Sequence, residues 1–213
     1  MQQQPAIASQ KPPGFILAGG LSSRMGHPKA LAMLAGAPLL AHVAARLAPQ
    51  TARLSLNWNG PVPPEGLQGL TPVADVVPGH VGPLAGILTA IRETAGHAAS
   101  HVATVPIDAP FFPLDLVEKL SAAIETPDDI AIAFSEETMH PVFGLWPVSL
   151  ADDLDHFLRT DPKRRVRAFI ERHRMRAVPF TPIEAFDPFF NVNTPEDLVR
   201  AEQIFRDIGA LQR

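Results

Sequence analysis

Apolar clusters and turn signals alternate along this chain. Residues 15–17 form a short apolar strand, and Leu39, Leu40, Val43 and Leu47 then recur at the spacing of one helix face. Residues 54–56 predict a second strand, followed by Asn57, Asn59, Gly60 and a Pro/Gly-rich loop, and residues 71–74 predict a third. Leu84, Ile87, Leu88 and Ile91 fall at i, i+3, i+4 and i+7, which predicts a helix after Gly82-Pro83. Residues 101–105 predict a buried strand ended by Pro106, and Leu116, Val117, Leu120 and Ile124 a further helix. Residues 130–134 and 142–146 predict two strands around a turn at 136–138. Leu150, Leu154, Phe157 and Leu158 predict one helix, and Val166, Phe169 and Ile170 another. The last helix has Thr194 as N-cap, Pro195 at its first position and Asp197 at its third, with Leu198, Ala201, Ile204 and Phe205 inside. Pro38, Pro83, Pro113 and Pro195 each precede an apolar helical pattern, the first-turn position that proline tolerates.

Strand–helix alternation of this kind predicts an α/β fold with a mostly parallel sheet. Ligands of such sheets bind beyond the carboxyl ends of the strands. The polar candidates lie at those ends: Gly19, Asn57, Asp75 and Asp108 after the first four strands. In the first of these places the sequence runs through Gly19, Gly20, Arg24, Met25, Gly26 and Lys29. Glycines let backbone N–H groups approach an anion, and successive N–H groups form an anion-binding concavity. Arg24 adds a forked cation and Lys29 a compact one, so the segment reads as a cradle for a nucleoside triphosphate. It is neither a Walker A loop, because Lys29 stands between Pro28 and Ala30, nor a GxGxxG fingerprint.

Asp108 lies between Pro106 and Pro110, which bias the backbone to extended or turn forms and hold the carboxylate at the sheet edge. Magnesium takes one or two carboxylates together with substrate phosphates, a role that suits Asp108; a turn or helix-capping aspartate is the alternative. Asn191 and Asn193 flank Val192, and an extended backbone puts both amides on one face, where they could orient a second substrate; a turn into the last helix is the other reading. Asn57 and Asp75 offer acceptors to a guanine edge or to ribose hydroxyls, and the sequence does not assign which. Gly79, Gly82 and Gly86 point to a close approach of backbone to ligand at a helix start, or to plain helix packing. His140, before Pro141, is a candidate facing the cleft, without a Ser/His/Asp or metal-binding set in the sequence around it.

The composition narrows the classes. The 213 residues contain no cysteine, which excludes disulfides, a thiolate nucleophile and a Cys-ligated metal. A formal net charge of −4 disfavours a general nucleic-acid binder, while local charge leaves an anionic small ligand open. No apolar run approaches a membrane span. Residues 1–13, rich in Gln, Pro and Ala, are expected to be a flexible tail on a cytoplasmic protein, with residues 14–213 a single domain. Arg159, Lys163, Arg164, Arg165, Arg167, Arg172, Arg174 and Arg176 form a basic stretch, read mainly as solvated surface, with one or two free to meet a second anionic substrate.

Taken together, Leu17-Ala-Gly-Gly20, Arg24-Met-Gly26, Lys29, Gly82-Pro-Leu-Ala-Gly86, Pro106-Ile-Asp-Ala-Pro110, His140-Pro141 and Asn191-Val-Asn-Thr-Pro-Glu-Asp-Leu198 resemble the molybdenum cofactor guanylyltransferase family of MobA type. The resemblance covers nearly all the chain after Pro13. It implies a Rossmann-like three-layer α/β/α nucleotidyltransferase fold and transfer of GMP from GTP to molybdopterin, with Mg2+ and release of pyrophosphate. It further implies that Leu17, Ala18, Gly19, Lys29, Asn57 and Asp75 bind GTP, joined by Gly20 and Gly82 from the phosphate and helix-start loops. Asp108 would bind GTP and the metal, with Lys29, Arg24 and Asp108 carrying the chemistry, and Asn191, Asn193 and His140 would be candidates for the second substrate. Ile107 stands where the family often has cysteine, and Gly19 favours guanine over the cytosine of the related cytidylyltransferases. A sugar-1-phosphate nucleotidyltransferase and a non-catalytic GTP or pterin carrier are the remaining alternatives. Molybdoenzymes or their chaperones are the expected protein partners.

Overall fold

The computed structural model describes residues 11–18, 29–60, 69–77, 82–182 and 186–211. The strands are β1 (Gly14–Leu17), β2 (Met33–Leu34), β3 (Ala37–Pro38), β4 (Leu54–Asn57), β5 (Thr71–Val73), β6 (His101–Pro106), β7 (Ile130–Ser135), β8 (Thr138–Pro147) and β9 (Met175–Phe180). The helices are α1 (Leu39–Leu47), α2 (Pro83–Ala95), α3 (Leu116–Ala122), α4 (Ala151–Thr160), α5 (Val166–Ile170) and α6 (Pro195–Leu211).

Seven of these strands form one sheet in the order β5-β4-β1-β6-β8-β7-β9. All neighbours are parallel except at β8, which runs against both β6 and β7. The period-2 alternation of strands sends neighbouring side chains to opposite faces. Ile16 joins the core under α1 and α3, with Leu40, Val43, Leu116 and Leu120. Phe15 and Leu17 join the core under α2, α4 and α5, with Ile87, Leu88, Leu154 and Phe169. Helices therefore cover both faces, giving three layers, and each such fully buried side chain contributes about 1.5–3 kcal/mol. A third cluster lies outside the sheet. There Leu198, Ala201 and Ile204 of α6 pack with Leu34, Phe111, Phe186 and Val192.

Most predicted elements are present, and the departures have physical causes. The strand β8 begins at Thr138 rather than at residue 142, because Glu136, at φ 50°, and Glu137 form the whole turn and pairing resumes at once. The strand β9 was not predicted. It carries Arg176 and Pro179, and it lies at the sheet edge, where proline costs no ladder bond. The β2–β3 hairpin is too short for a periodic signal; its turn has Ala35 and Gly36 both at positive φ. Pro83 and Pro195 do begin helices. Pro38, in contrast, is the residue before α1, and Pro113 stands ahead of α3 without entering it. Of the expected tail, residues 11–13 are tied to the body: Pro12 and Pro13 carbonyls accept from Ala52 and Ala103. The Thr194 cap is as predicted. Asp197 N–H donates to the Thr194 hydroxyl at 3.2 Å, and the Asp197 carboxylate accepts from the Thr194 N–H at 2.9 Å.

Candidate active site

Four strands end along one edge of the sheet, and two polar groups form there. The first surrounds Lys29. Its ammonium lies 2.9 Å from Asp108 Oδ2 and 2.5 Å from Asn193 Oδ1. Lys29 opens a short 3-10 turn, Asp108 follows the end of β6, and Asn193 precedes α6. Backbone bonds hold the three in place. Ile107 N–H donates to Leu17 O at 3.2 Å, extending the β1–β6 ladder, and Val192 N–H donates to Asp108 O at 2.7 Å. The side chains of Lys29 and Asp108 are about one-fifth exposed (20% and 19%), so the pair is accessible to a ligand yet partly desolvated.

The second group surrounds Asp75. Asn57, at the end of β4, donates to Asp75 Oδ1 at 2.8 Å and to the Val73 carbonyl at 3.3 Å. Asn59 donates to Asp75 Oδ2 at 2.7 Å and accepts from the Asp75 N–H at 2.8 Å. Thr89 of α2 lies behind them: it donates to Ala85 O at 2.9 Å and accepts from Val76 N–H at 3.0 Å. Gly86 leaves the room this needs, because a Cβ there would come within 2.8 Å of Asn57 Oδ1. In the sheet β1 separates β4 from β6. Two strand spacings put the two groups on the order of 10 Å apart, the scale that separates a nucleoside from its phosphates.

The structure thus joins Lys29, Asp108 and Asn193, and separately Asn57 and Asp75. Leu17 ends β1, and Ala18 N–H is bound to Asn57 O at 3.2 Å. Gly82 precedes α2 at φ +84°, a conformation that requires glycine. Gly19, Gly20, Arg24, Met25 and Gly26, and Gly79, lie outside the described residues. Asn191 is exposed, with the buried Val192 between it and Asn193. His140 belongs to a different set. Its Nε2 lies 2.6 Å from Ser135 Oγ and 3.8 Å from Asp187, and its ring stacks on Phe189 at 4.3 Å. Burial lowers the His140 pKa below the ordinary imidazole value, and Asp187 opposes that shift.

Most of the basic stretch is engaged at home. Arg159 pairs with Asp155, Arg167 with Glu171, Arg172 with Asp153, and Arg174 and Arg176 with the fully buried Asp129. Sequence reasoning missed Asn59 and Thr89. The signal for Asn59 was present: Asn57 and Asn59 stand two apart at a strand end, so extended backbone points both the same way.

This mostly parallel sheet, with a cation–carboxylate pair and an acceptor group along its carboxyl edge, is that of an α/β nucleotidyltransferase, the class its similarity to known proteins shows. The chain belongs to the MobA-like NTP transferase domain family, whose model matches residues 14–177. It is 53% identical over 197 residues to the Molybdenum cofactor guanylyltransferase of Rhizobium meliloti, covering 90% of each chain. It is 54% identical over 208 residues to the protein of that name in Rhizobium rhizogenes, covering 94% of each. Among solved structures, Molybdopterin-guanine dinucleotide biosynthesis protein A from Archaeoglobus fulgidus superposes with a TM-score of 0.74 at 27% identity, covering 92% of this chain and 99% of that one. Among the described residues no helix is long and apolar enough to cross a membrane.

Proposed function

We propose that this chain transfers GMP from GTP to the terminal phosphate of molybdenum-loaded molybdopterin. An oxygen of that phosphate attacks the α-phosphorus of GTP. The bond from the α-phosphorus to the bridging oxygen breaks, and pyrophosphate leaves. The names of the relatives support the reading, and the observation that carries it is the 2.9 Å Lys29–Asp108 pair at the sheet edge. Two anions must meet in this reaction, so the site works by positioning and charge neutralisation. Lys29 has three donors. It can exchange one of the donors it now gives to the protein for a phosphate oxygen of GTP. Asn57 and Asp75 take the nucleoside end. Asn193, bonded to Lys29, would orient the incoming phosphate.

Mg2+ fits this site as a companion of the nucleotide. Among the described residues no group of three or more His, Cys, Asp or Glu side chains gathers, so Asp108 would hold the ion together with phosphates and water rather than within an all-protein cage. When bound, the ion would neutralise charge developing on the phosphate oxygens. The reaction belongs in the cytoplasm, with molybdoenzymes or their chaperones as recipients of the product.

The test is pyrophosphate release with GTP or CTP, with and without molybdopterin. Release is expected with GTP and only when molybdopterin is present. Faster release with CTP, or release with a sugar phosphate in place of the pterin, refutes the assignment. GTP binding without any release leaves a carrier.

A further inference from the structure

The Asp75 carboxylate is oriented by its own protein neighbours, and most of that orientation comes from Asn59. A carboxylate has about four lone-pair sites. Asn57 takes one on Oδ1 at 2.8 Å, and Asn59 takes one on Oδ2 at 2.7 Å. The Thr89 hydroxyl stands 3.5 Å from Oδ1, a weak contact beside its 2.9 Å bond to Ala85 O. Each Asp75 oxygen therefore keeps one lone pair for a ligand. That is the acceptor pattern for two parallel donors, either N1–H and the 2-amino group of guanine or the two ribose hydroxyls. The grip of Asn59 is double, because its Oδ1 also accepts from the Asp75 N–H at 2.8 Å. The amide thereby fixes both the backbone and the carboxylate plane of Asp75. Asn57 contributes to one oxygen only and spends its other hydrogen on Val73 O.

We propose that Asn59 is a positioning residue for nucleotide recognition, holding the Asp75 carboxylate with one free lone pair on each oxygen turned to the ligand. The inference rests on the reading of Asp75 as a nucleotide contact. Asn59 touches no reacting atom, so its loss weakens nucleotide binding and spares the chemical step.

The test compares Asn59→Ala, Asp75→Ala and the double variant, using kcat and KM for GTP with thermal melting as a check of folding. Asn59→Ala is expected to raise KM for GTP about tenfold, the effect of losing a charge-assisted hydrogen bond, with kcat changed less than about twofold. Asp75→Ala is expected to raise KM at least as much. The double variant should match Asp75→Ala, because a residue that acts through another adds nothing once that other is gone. ITP, which lacks the 2-amino group, and 2′-deoxy-GTP separate the two ligand chemistries. The Asn59→Ala penalty should shrink with whichever analogue lacks the donor that Asp75 accepts. An unchanged KM in folded Asn59→Ala beside a raised KM in Asp75→Ala overturns the inference and leaves the nucleotide reading intact. Additive effects in the double variant, or an equal loss of kcat, overturn it as well. An unaltered KM in Asp75→Ala removes the inference together with the reading beneath it.

Discussion

Gly86→Ala sets two effects against each other. Gly86 sits inside α2, where alanine is favoured over glycine by about 1 kcal/mol. The added methyl, however, would stand 2.8 Å from Asn57 Oδ1 and 3.2 Å from Leu17 Cδ2. A tolerable carbon–oxygen contact is about 3.3 Å, so the amide must retreat by about 0.5 Å. Asn57 is only 1% exposed, and its nitrogen is held by Asp75 at 2.8 Å, so it has little freedom to turn away. A retreat of that size stretches the bond to Asp75 past good geometry. Overpacking of this kind costs about 1–3 kcal/mol, which outweighs the helix gain and lowers Tm by a few degrees. A hydrogen bond to a charged group is worth about 1.5–3 kcal/mol, and weakening it forfeits part of that, which raises KM for GTP by up to about tenfold. Thermal melts and steady-state kinetics on the purified variant measure both. A higher Tm with an unchanged KM would show that helix propensity prevails and that Asn57 is not held where the argument needs it.

Lys29→Ala and Asp108→Ala should each lower turnover on the order of a hundredfold or more while the fold survives, since a preorganised charged group in such a site is worth about 3–4 kcal/mol of barrier; near-normal turnover of folded Asp108→Ala would reject its role. Burial holds the His101 imidazole below its ordinary pKa, although Asp129 beside it pulls the other way. The unfolded chain therefore binds the proton more readily. The stability this contributes is complete above an unfolded imidazole pKa of about 6.5 and is lost as pH falls through the lower folded value. Urea melts from pH 7.5 down to 5 should show that decline, and it should be shallower in His101→Asn. Trp58 stands between Asn57 and Asn59, whereas Trp146 is fully buried in the core beneath α2. GTP should therefore change the protein's tryptophan emission, and Trp58→Phe should abolish the change; a signal that persists in that variant would place its source elsewhere.

The helix faces and buried strands were legible because their periodicity reports burial directly. Leu84, Ile87, Leu88 and Ile91 all face the core as their spacing requires. The β9 strand was not legible, because an edge strand holding an arginine and a proline satisfies rules of pairing rather than of burial. In the site, Lys29 and Asp108 could be named from motif and strand-end position. Their direct contact spans 79 residues, and no local pattern encodes it. The spacing of Asn57 and Asn59 gave a local signal, but the partner of Asn59 was not legible, because Asp75 follows the neighbouring strand β5 sixteen residues away. Among the basic residues, charge density in the sequence gave no hint that Asp129 is buried beneath two of them.

The bond from Lys29 to Asn193 closes a loop of 164 residues, and its far end lies past residue 177, where the family match stops. A ribosome must therefore synthesise all of the chain between Lys29 and Asn193 before this corner can assemble. A nascent chain that has already threaded its central sheet still lacks Asn193, and Val192 to cover Asp108. Competence for the proposed reaction therefore comes only after every strand of the sheet has been made, and a chain cut between Phe180 and Asn193 would hold all seven strands yet lack this corner.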